Sequence, residues 1–189
     1  MMTSHSLSAA LLLAVGLALP VSAAPPEVPA ELRAAVEALL MGYEPADPGP
    51  ALRRLGPQAA DALVQLAQDP SVPPLRRLRA IEALGYVPTP SGLQFLRQLV
   101  AQRRDARDPV GIYELAAAAR ALGGHGASQV SELIPLLDHD SADVREGAAA
   151  ALGAVRTLPL DARRALERRL QRERDGGVRA TLARALRPK

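Results

Sequence analysis

The 189-residue sequence contains no cysteine. Disulfides, thiolate metal sites, cysteine nucleophiles and thioether-linked lipids are all excluded by that absence. The compartment stays open on redox grounds, because a chain without Cys suits an oxidising or a reducing one. Aromatic side chains are nearly missing as well: three Tyr, one Phe and no Trp, 2% of the chain. Platforms for stacking bases are therefore lacking, which argues against nucleic acid as a partner. No strand is visible, so no serine sits on a strand-to-helix elbow of the hydrolase kind. The one glycine cluster, GGHG at 123–126, lacks the lysine and the preceding strand of a phosphate loop.

What is abundant is Ala, Leu and Val, which supply most of the 48% hydrophobic content. Ala and Leu are strong helix formers, and β-branched and aromatic residues are scarce, so close-packed helices are expected. Seventeen Pro and fourteen Gly punctuate those helices. Charge is unevenly placed. From Ala24 to Val155 there are 12 Arg against 16 acids; from Arg156 to Lys189 there are 11 basic residues against 4 acids. A basic last third can meet an anionic partner, or it can simply be a solvated helix face.

Leu7 to Leu19 is an apolar run without a charge. As a helix it spans roughly 20 Å, short of the ~30 Å hydrocarbon core. Pro20 and Val21-Ser22-Ala23 follow, with small residues at the last and third-last positions. This is the pattern of an export signal cut after Ala23, ahead of Ala24. The leading MMTSHS departs from it in having no Lys or Arg. The chain after Ala23 has no second long apolar run, so a soluble bacterial protein of the periplasm or the exterior is expected, with no integral span.

The rest repeats itself. Leu-Gly occurs at 55–56, 84–85, 122–123 and 152–153, and Leu186-Arg187 takes a fifth place; the spacings are 29, 38, 30 and 34 residues. Ala precedes Leu at 83, 121, 151 and 185, and Arg stands eight before the Gly place at 77, 145 and 179. A period near 30 with two helices per period is the mark of a helical solenoid. The best unit is DSADVREGAAAALG, 140–153. Val144, Ala148, Leu152 and Val155 form one stripe, Asp140 or Ser141 is placed to cap the helix, and Gly153 is placed to end it in a left-handed turn. Between these Ala-rich helices lie Leu-rich partners such as 126–137, striped by Val130, Leu133, Ile134 and Leu137.

The Asp-rich turn, then Val-Arg, then an Ala run closing on Ala-Leu-Gly resembles the short HEAT-like repeats named from phycobilisome lyases. DHDSADVREGAAAALG (138–153) matches along its length and DGGVRATLARAL (175–186) matches well. The resemblance implies an all-α fold, a short right-handed α–α superhelix of the HEAT/armadillo kind with about four to five helix pairs. The expected organisation is a signal over 1–23, an N-terminal helix and linker over 24–46, and a repeat domain over 47–189. The resemblance also implies a structural ladder in which Arg145 and Arg179 pair with turn aspartates such as Asp138, Asp140 or Asp175.

Enzymes of this class require features that are missing here. The di-iron hydroxylases use His-Glu pairs, whereas His5, His125 and His139 are none of them followed by Glu. His139 with Asp138, Asp140 and Asp143 is read as an ordinary acidic helix start rather than a metal site. No catalytic residue and no cofactor are therefore expected. The leading functional expectation is a non-enzymatic module or scaffold that binds a protein partner. The alternative is an accessory envelope protein whose basic face, Arg163, Arg164, Arg168, Arg169 and Arg172, meets an anionic lipid or polymer.

Overall fold

The computed structural model describes residues 27–41 and 47–187, all of them helix, turn or loop. The export signal expected over 1–23, with its Ala23–Ala24 junction, lies outside the described residues. Four helix pairs succeed one another: α3 (Gln58–Gln68) with α4 (Pro74–Ala83), α5 (Pro90–Arg103) with α6 (Pro109–Gly123), a broken helix centred on α7 (Val130–Leu133) with α8 (Ala142–Ala154), and α9 (Leu160–Arg172) with α10 (Gly176–Ala185). Ahead of them stand α1 (Ala30–Leu40) and the short α2 (Gly49–Arg54). The second helices of the pairs pack on one another, α4 on α6, α6 on α8, α8 on α10, while α3, α5, α7 and α9 form the outer layer. This is an α–α solenoid, as the period of the sequence predicts.

The Ala-Leu-Gly triplet has a geometric explanation. Leu84, Leu122 and Leu152 point into the core and are completely buried. Each such Leu contributes about 1.5–3 kcal/mol through burial. The Gly that follows faces the neighbouring helix instead. A Cβ on Gly85 would stand 3.0 Å from Ala121 Cα, one on Gly123 2.8 Å from Ala151 Cα, and one on Gly153 3.0 Å from Ala185 Cβ. The Gly of one repeat thus lies on the Ala of the next repeat's triplet. The expectation that Gly153 closes its helix in a left-handed turn is corrected: positive φ occurs only at Gly56 and Gly126 among the described residues, and α8 runs one residue past Gly153. Close approach, not turn geometry, requires glycine there. Small residues also explain how α6 is buried nearly all round, with Ala116 to Ala119 each at most 2% exposed.

One further expectation changes. The Leu-rich segment 126–137 is not one helix but a 3-10 turn (Ala127–Gln129), α7, and a second 3-10 stretch (Ile134–Asp138). Pro135 has no N–H to donate and its ring crowds the preceding turn, so the α-helix stops ahead of it. Helix α1 packs into the same core as the repeats. Val36 and Leu40 are part of the common core. Arg76 pairs with Glu37 at 2.7 Å, Arg79 donates to the Leu40 carbonyl at 2.7 Å, and Arg33 pairs with Asp69. The two α4 contacts step along both helices in the same sense, so α1 lies parallel to α4.

Candidate interaction surface

The turns that begin α8 and α10 come together around one buried carboxylate, Glu173. Arg145, only 9% exposed, grips it with two bonds, Nε to Oε2 at 2.7 Å and Nη2 to Oε1 at 3.0 Å. Arg169 adds a bond from Nε at 3.0 Å, and the backbone N–H groups of Arg174 and Asp175 donate at 2.9 and 3.0 Å. The Arg145 bonds lead in holding the carboxyl down at about 2, helped by those N–H groups and Arg169, against the opposing effect of burial. Such a paired and saturated charge is tolerated in a core where a lone one is not.

This geometry corrects the expected aspartate ladder. Neither Arg145 nor Arg179 forms an ion pair with Asp138, Asp140 or Asp175. Arg145 Nη1 instead takes the carbonyls of His139 and Asp140 at 2.9 and 2.7 Å. Arg179 Nη1 takes those of Glu173 and Leu170 at 3.0 and 3.2 Å, and Arg77 Nη1 takes that of Val72 at 3.0 Å. The recurrent Arg is a clamp on the carbonyls of the turn just before its own helix, groups that would otherwise lack donors. The aspartates have other work. Asp175 caps α10 by accepting from the Val178 N–H at 3.0 Å. Asp138 takes Arg172 at 2.9 Å and Arg169 at 3.5 Å. The expected cap of α8 is absent, since neither Asp140 nor Ser141 accepts from its first turn; His139 Nδ1 accepts from the Ser141 N–H at 3.0 Å. In the sequence Glu173 stands four residues after Arg169, the spacing of an ordinary solvated helix pair. Its place directly before an Arg-Asp helix start was the one available signal of its role.

The basic face expected on α9 is divided. Arg163 turns inward to the Leu186 carbonyl at 3.4 Å, and Arg169 turns toward Glu173. Arg164 and Arg168 remain exposed, and Arg172 is shared with Asp138.

A different surface emerges on the inner row. Leu75 on α4 is 62% exposed and Tyr113 on α6 is 51% exposed. Both stand ten residues before the Gly of their triplets, and the two helices keep that register: Arg120 pairs with Glu82 at 3.1 Å, the same 38-residue offset. Leu75 and Tyr113 are therefore equivalent positions on adjacent parallel helices. Val110, 48% exposed, lies one turn before Tyr113. At the other end of the same helices a shallow cleft of about 290 Å³ is lined by Glu82, Tyr86 and Arg120 over the glycines of the rung. Tyr86 is held above its ordinary range by partial burial and by the nearby charges of Asp47 and Glu82. A second groove of about 450 Å³ lies at the turn edge between Arg104, Arg107, Ile112 and the 138–141 turn. Among the described residues no three His, Asp or Glu gather in the manner of a metal site, and no helix is long and apolar enough to cross a membrane.

No curated protein matches the chain. Residues 112–187, from within α6 to just past α10, match the family model of HEAT repeats. Repeats of this family commonly mediate protein–protein interaction and are typically non-enzymatic scaffolds. The match supports the HEAT-repeat superfamily and covers α7 to α10 with all of α6 but its first residues.

Proposed function

We propose that this protein is an exported, non-enzymatic scaffold that binds a protein partner on the inner-row face of its solenoid. The observation that carries the reading is the apolar cluster of Leu75, Val110 and Tyr113. These are three of the few large hydrophobic side chains left exposed, and two of them occupy the same register on neighbouring helices. Apolar patches rimmed by charge mark contact sites, and stacked repeats present extended surfaces of this sort. Export rests on the uncharged run Leu7–Leu19 and the Val21-Ser22-Ala23 site that follows it. The divided α9 face favours the protein partner over an anionic lipid or polymer, since two of its five arginines are committed to internal bonds.

The test uses the tagged full chain beside a Leu75→Asp/Tyr113→Asp variant, each incubated with the envelope fraction of the source organism at low and high salt. A discrete protein retained by the parent at high salt and lost by the variant supports the reading. Retention of anionic material only, released by salt and indifferent to the variant, overturns it in favour of Arg164 and Arg168. N-terminal sequencing of the native protein tests export: Ala24 as first residue is the expected result, and an uncut leader refutes the signal.

A further inference from the structure

The charges around the apolar cluster of the inner row do not balance. Toward α1, the cations of α4 have acceptors within the chain: Arg76 pairs with Glu37 at 2.7 Å, and Arg79 donates to the Leu40 carbonyl at 2.7 Å. On α6, Glu114 is held by Arg103 at 2.8 Å. At the far end of the same two helices Arg120 pairs with Glu82. The loop ahead of α6 is even in composition, with Arg104 and Arg107 beside Asp105 and Asp108.

Helix α8 differs. Asp143 is exposed. Glu146 stands one turn later on the same helix, and its partner is the neutral Thr181 hydroxyl, which donates at 3.0 Å. Neither carboxylate forms an ion pair among the described residues. Both lie beside the apolar cluster. Gly123 faces Ala151 and Gly147 faces Ala116, offsets of 28 and 31 residues between α6 and α8, and Asp143 follows Tyr113 by 30. Asp143 is therefore the next position on the line from Leu75 to Tyr113, one helix spacing of about 8–10 Å further on. Across the row the surface is apolar, apolar, then anionic.

Resting on the partner-binding reading of this face, we propose that the protein segment seated on it is basic. It lays two apolar side chains on Leu75 and on Tyr113 with Val110, and it sets a Lys or Arg against Asp143 and Glu146. Charge complementarity carries the choice. A neutral or acidic segment crossing the row would cover the two carboxylates without a counter-charge, and covering an unpaired charge is costly. A basic segment gains at the same place. The apolar anchors supply most of the contact, whereas the cation acts on encounter rate and register. Two apolar anchors in line do not fix the direction of a segment; a charge at one end of the line does.

The test is selection of short random peptides, displayed on phage, against the immobilised full chain at low salt. Leu75→Asp/Tyr113→Asp, Asp143→Asn and Asp143→Lys are run in parallel, with circular dichroism to verify that each variant is helical. The parent should retain sequences that combine two apolar residues with Lys or Arg to one side of them. Asp143→Asn, which keeps the size and removes the charge, should weaken that basic bias, and Asp143→Lys should replace it with Asp or Glu. The most enriched peptide of the parent, synthesised and followed by fluorescence anisotropy, should bind Asp143→Lys about tenfold more weakly and should lose affinity as salt rises. Peptides that depend on Leu75 and Tyr113 but carry no basic bias, or the same peptides selected by Asp143→Lys as by the parent, would overturn the inference and leave the partner-binding reading of the face in place. Failure to select any peptide that depends on Leu75 and Tyr113 would overturn both.

Discussion

Adding one methyl group at Gly123 tests whether the inner row is set by contact rather than by helix propensity. Ala is favoured over Gly in a helix by about 1 kcal/mol, and Gly123 is the last residue of α6, where part of that gain remains. Propensity alone therefore predicts that Gly123→Ala stabilises. The structure predicts the reverse. The new Cβ would lie 2.8 Å from Ala151 Cα, 3.0 Å from Ala151 O and 3.1 Å from Ala151 Cβ. Two of these three atoms are backbone and cannot rotate aside, so α6 and α8 must separate. Overpacking of this kind costs about 1–3 kcal/mol, which exceeds the propensity gain and leaves a net loss of about 1–2 kcal/mol. For a chain of this size that lowers Tm by roughly 2–8 °C. Gly176→Ala is the control, because a Cβ there meets nothing within 4 Å; it should be neutral or mildly stabilising. Thermal and urea denaturation followed by helix signal give both values. If Gly123→Ala is as stable as the parent, the reasoning about the row is wrong. A cycle at the next rung sharpens the case: Ala185→Gly removes the atom nearest to a Gly153→Ala methyl, so the double variant should recover part of the loss, with a coupling of about 0.5–3 kcal/mol.

Other perturbations separate the remaining interactions. Glu173→Ala leaves the buried Arg145 without a counter-charge, its Nη1 keeping only the His139 and Asp140 carbonyls, and should cost about 3–5 kcal/mol, whereas Arg145→Ala should cost less because Glu173 keeps the Arg169 charge and two backbone donors; equal losses in urea denaturation would refute this asymmetry. Asp175→Ala removes a real cap and should cost about 1 kcal/mol, while Ser141→Ala, which loses no cap bond, should stay within about 0.5 kcal/mol. His125 gives a pH dependence. Burial lowers its pKa from the ordinary 6.5, and the nearby Arg97 charge acts in the same sense, against its bond to the Leu84 carbonyl. A lowered imidazolium pKa means that the unfolded chain binds the proton more readily, so this contribution is complete above 6.5 and is lost as pH falls below it. The urea midpoint should fall between pH 7.5 and about 5.5, and His125→Gln should flatten that fall; an unchanged slope in the variant would exclude His125 as its source.

The repeat, the helix pairing and the buried Leu of each triplet were legible because they obey local rules: a period, a stripe, a run of good helix formers. The reason for the Gly was not legible. A helix-ending Gly and a contact Gly look alike in one sequence, and only the position of the next repeat separates Gly153 from Gly56. The clamp made by Arg77, Arg145 and Arg179 was visible as a recurring residue, but its acceptors are backbone carbonyls, which carry no sequence signature. The pairing with turn aspartates was what the family resemblance implied, and it does not carry over to these turns. Glu173 was hidden for a related reason: i,i+4 from Arg169, it fits a solvated helix face as well as a buried knot, and the deciding partner lies 28 residues away. The split of the α9 arginines was equally out of reach, since helical spacing puts Arg163 and Arg169 beside Arg164 and Arg168 without saying which carbonyl or carboxylate lies below.

These assignments divide the repeat into two sets of positions with different tolerances. Contact positions, the triplet Leu, Gly and Ala, are constrained on several sides, because each touches the neighbouring repeat and a change there moves a helix. Clamp and cap positions tie a turn to its own helix and leave the stack spacing alone. The inner-row positions ten before the Gly are constrained by neither. In the four successive repeats they hold Leu75, Tyr113, Asp143 and Gly177, side chains without chemical similarity on helices otherwise built alike. Packing does not explain two large exposed apolar groups followed by a carboxylate and a glycine, since a solvated face is served as well by charge at all four. On the proposed function, variation at a register the fold leaves free fits a surface shaped for a particular partner, with the apolar contact on α4 and α6 and the acidic step to α8 as one limit of the footprint. If so, Asp143→Ala should alter partner affinity at low salt and leave stability unchanged, whereas Leu75→Asp should abolish capture at any salt. An Asp143→Ala effect that persists undiminished at high salt would mean that the carboxylate is not acting through its charge.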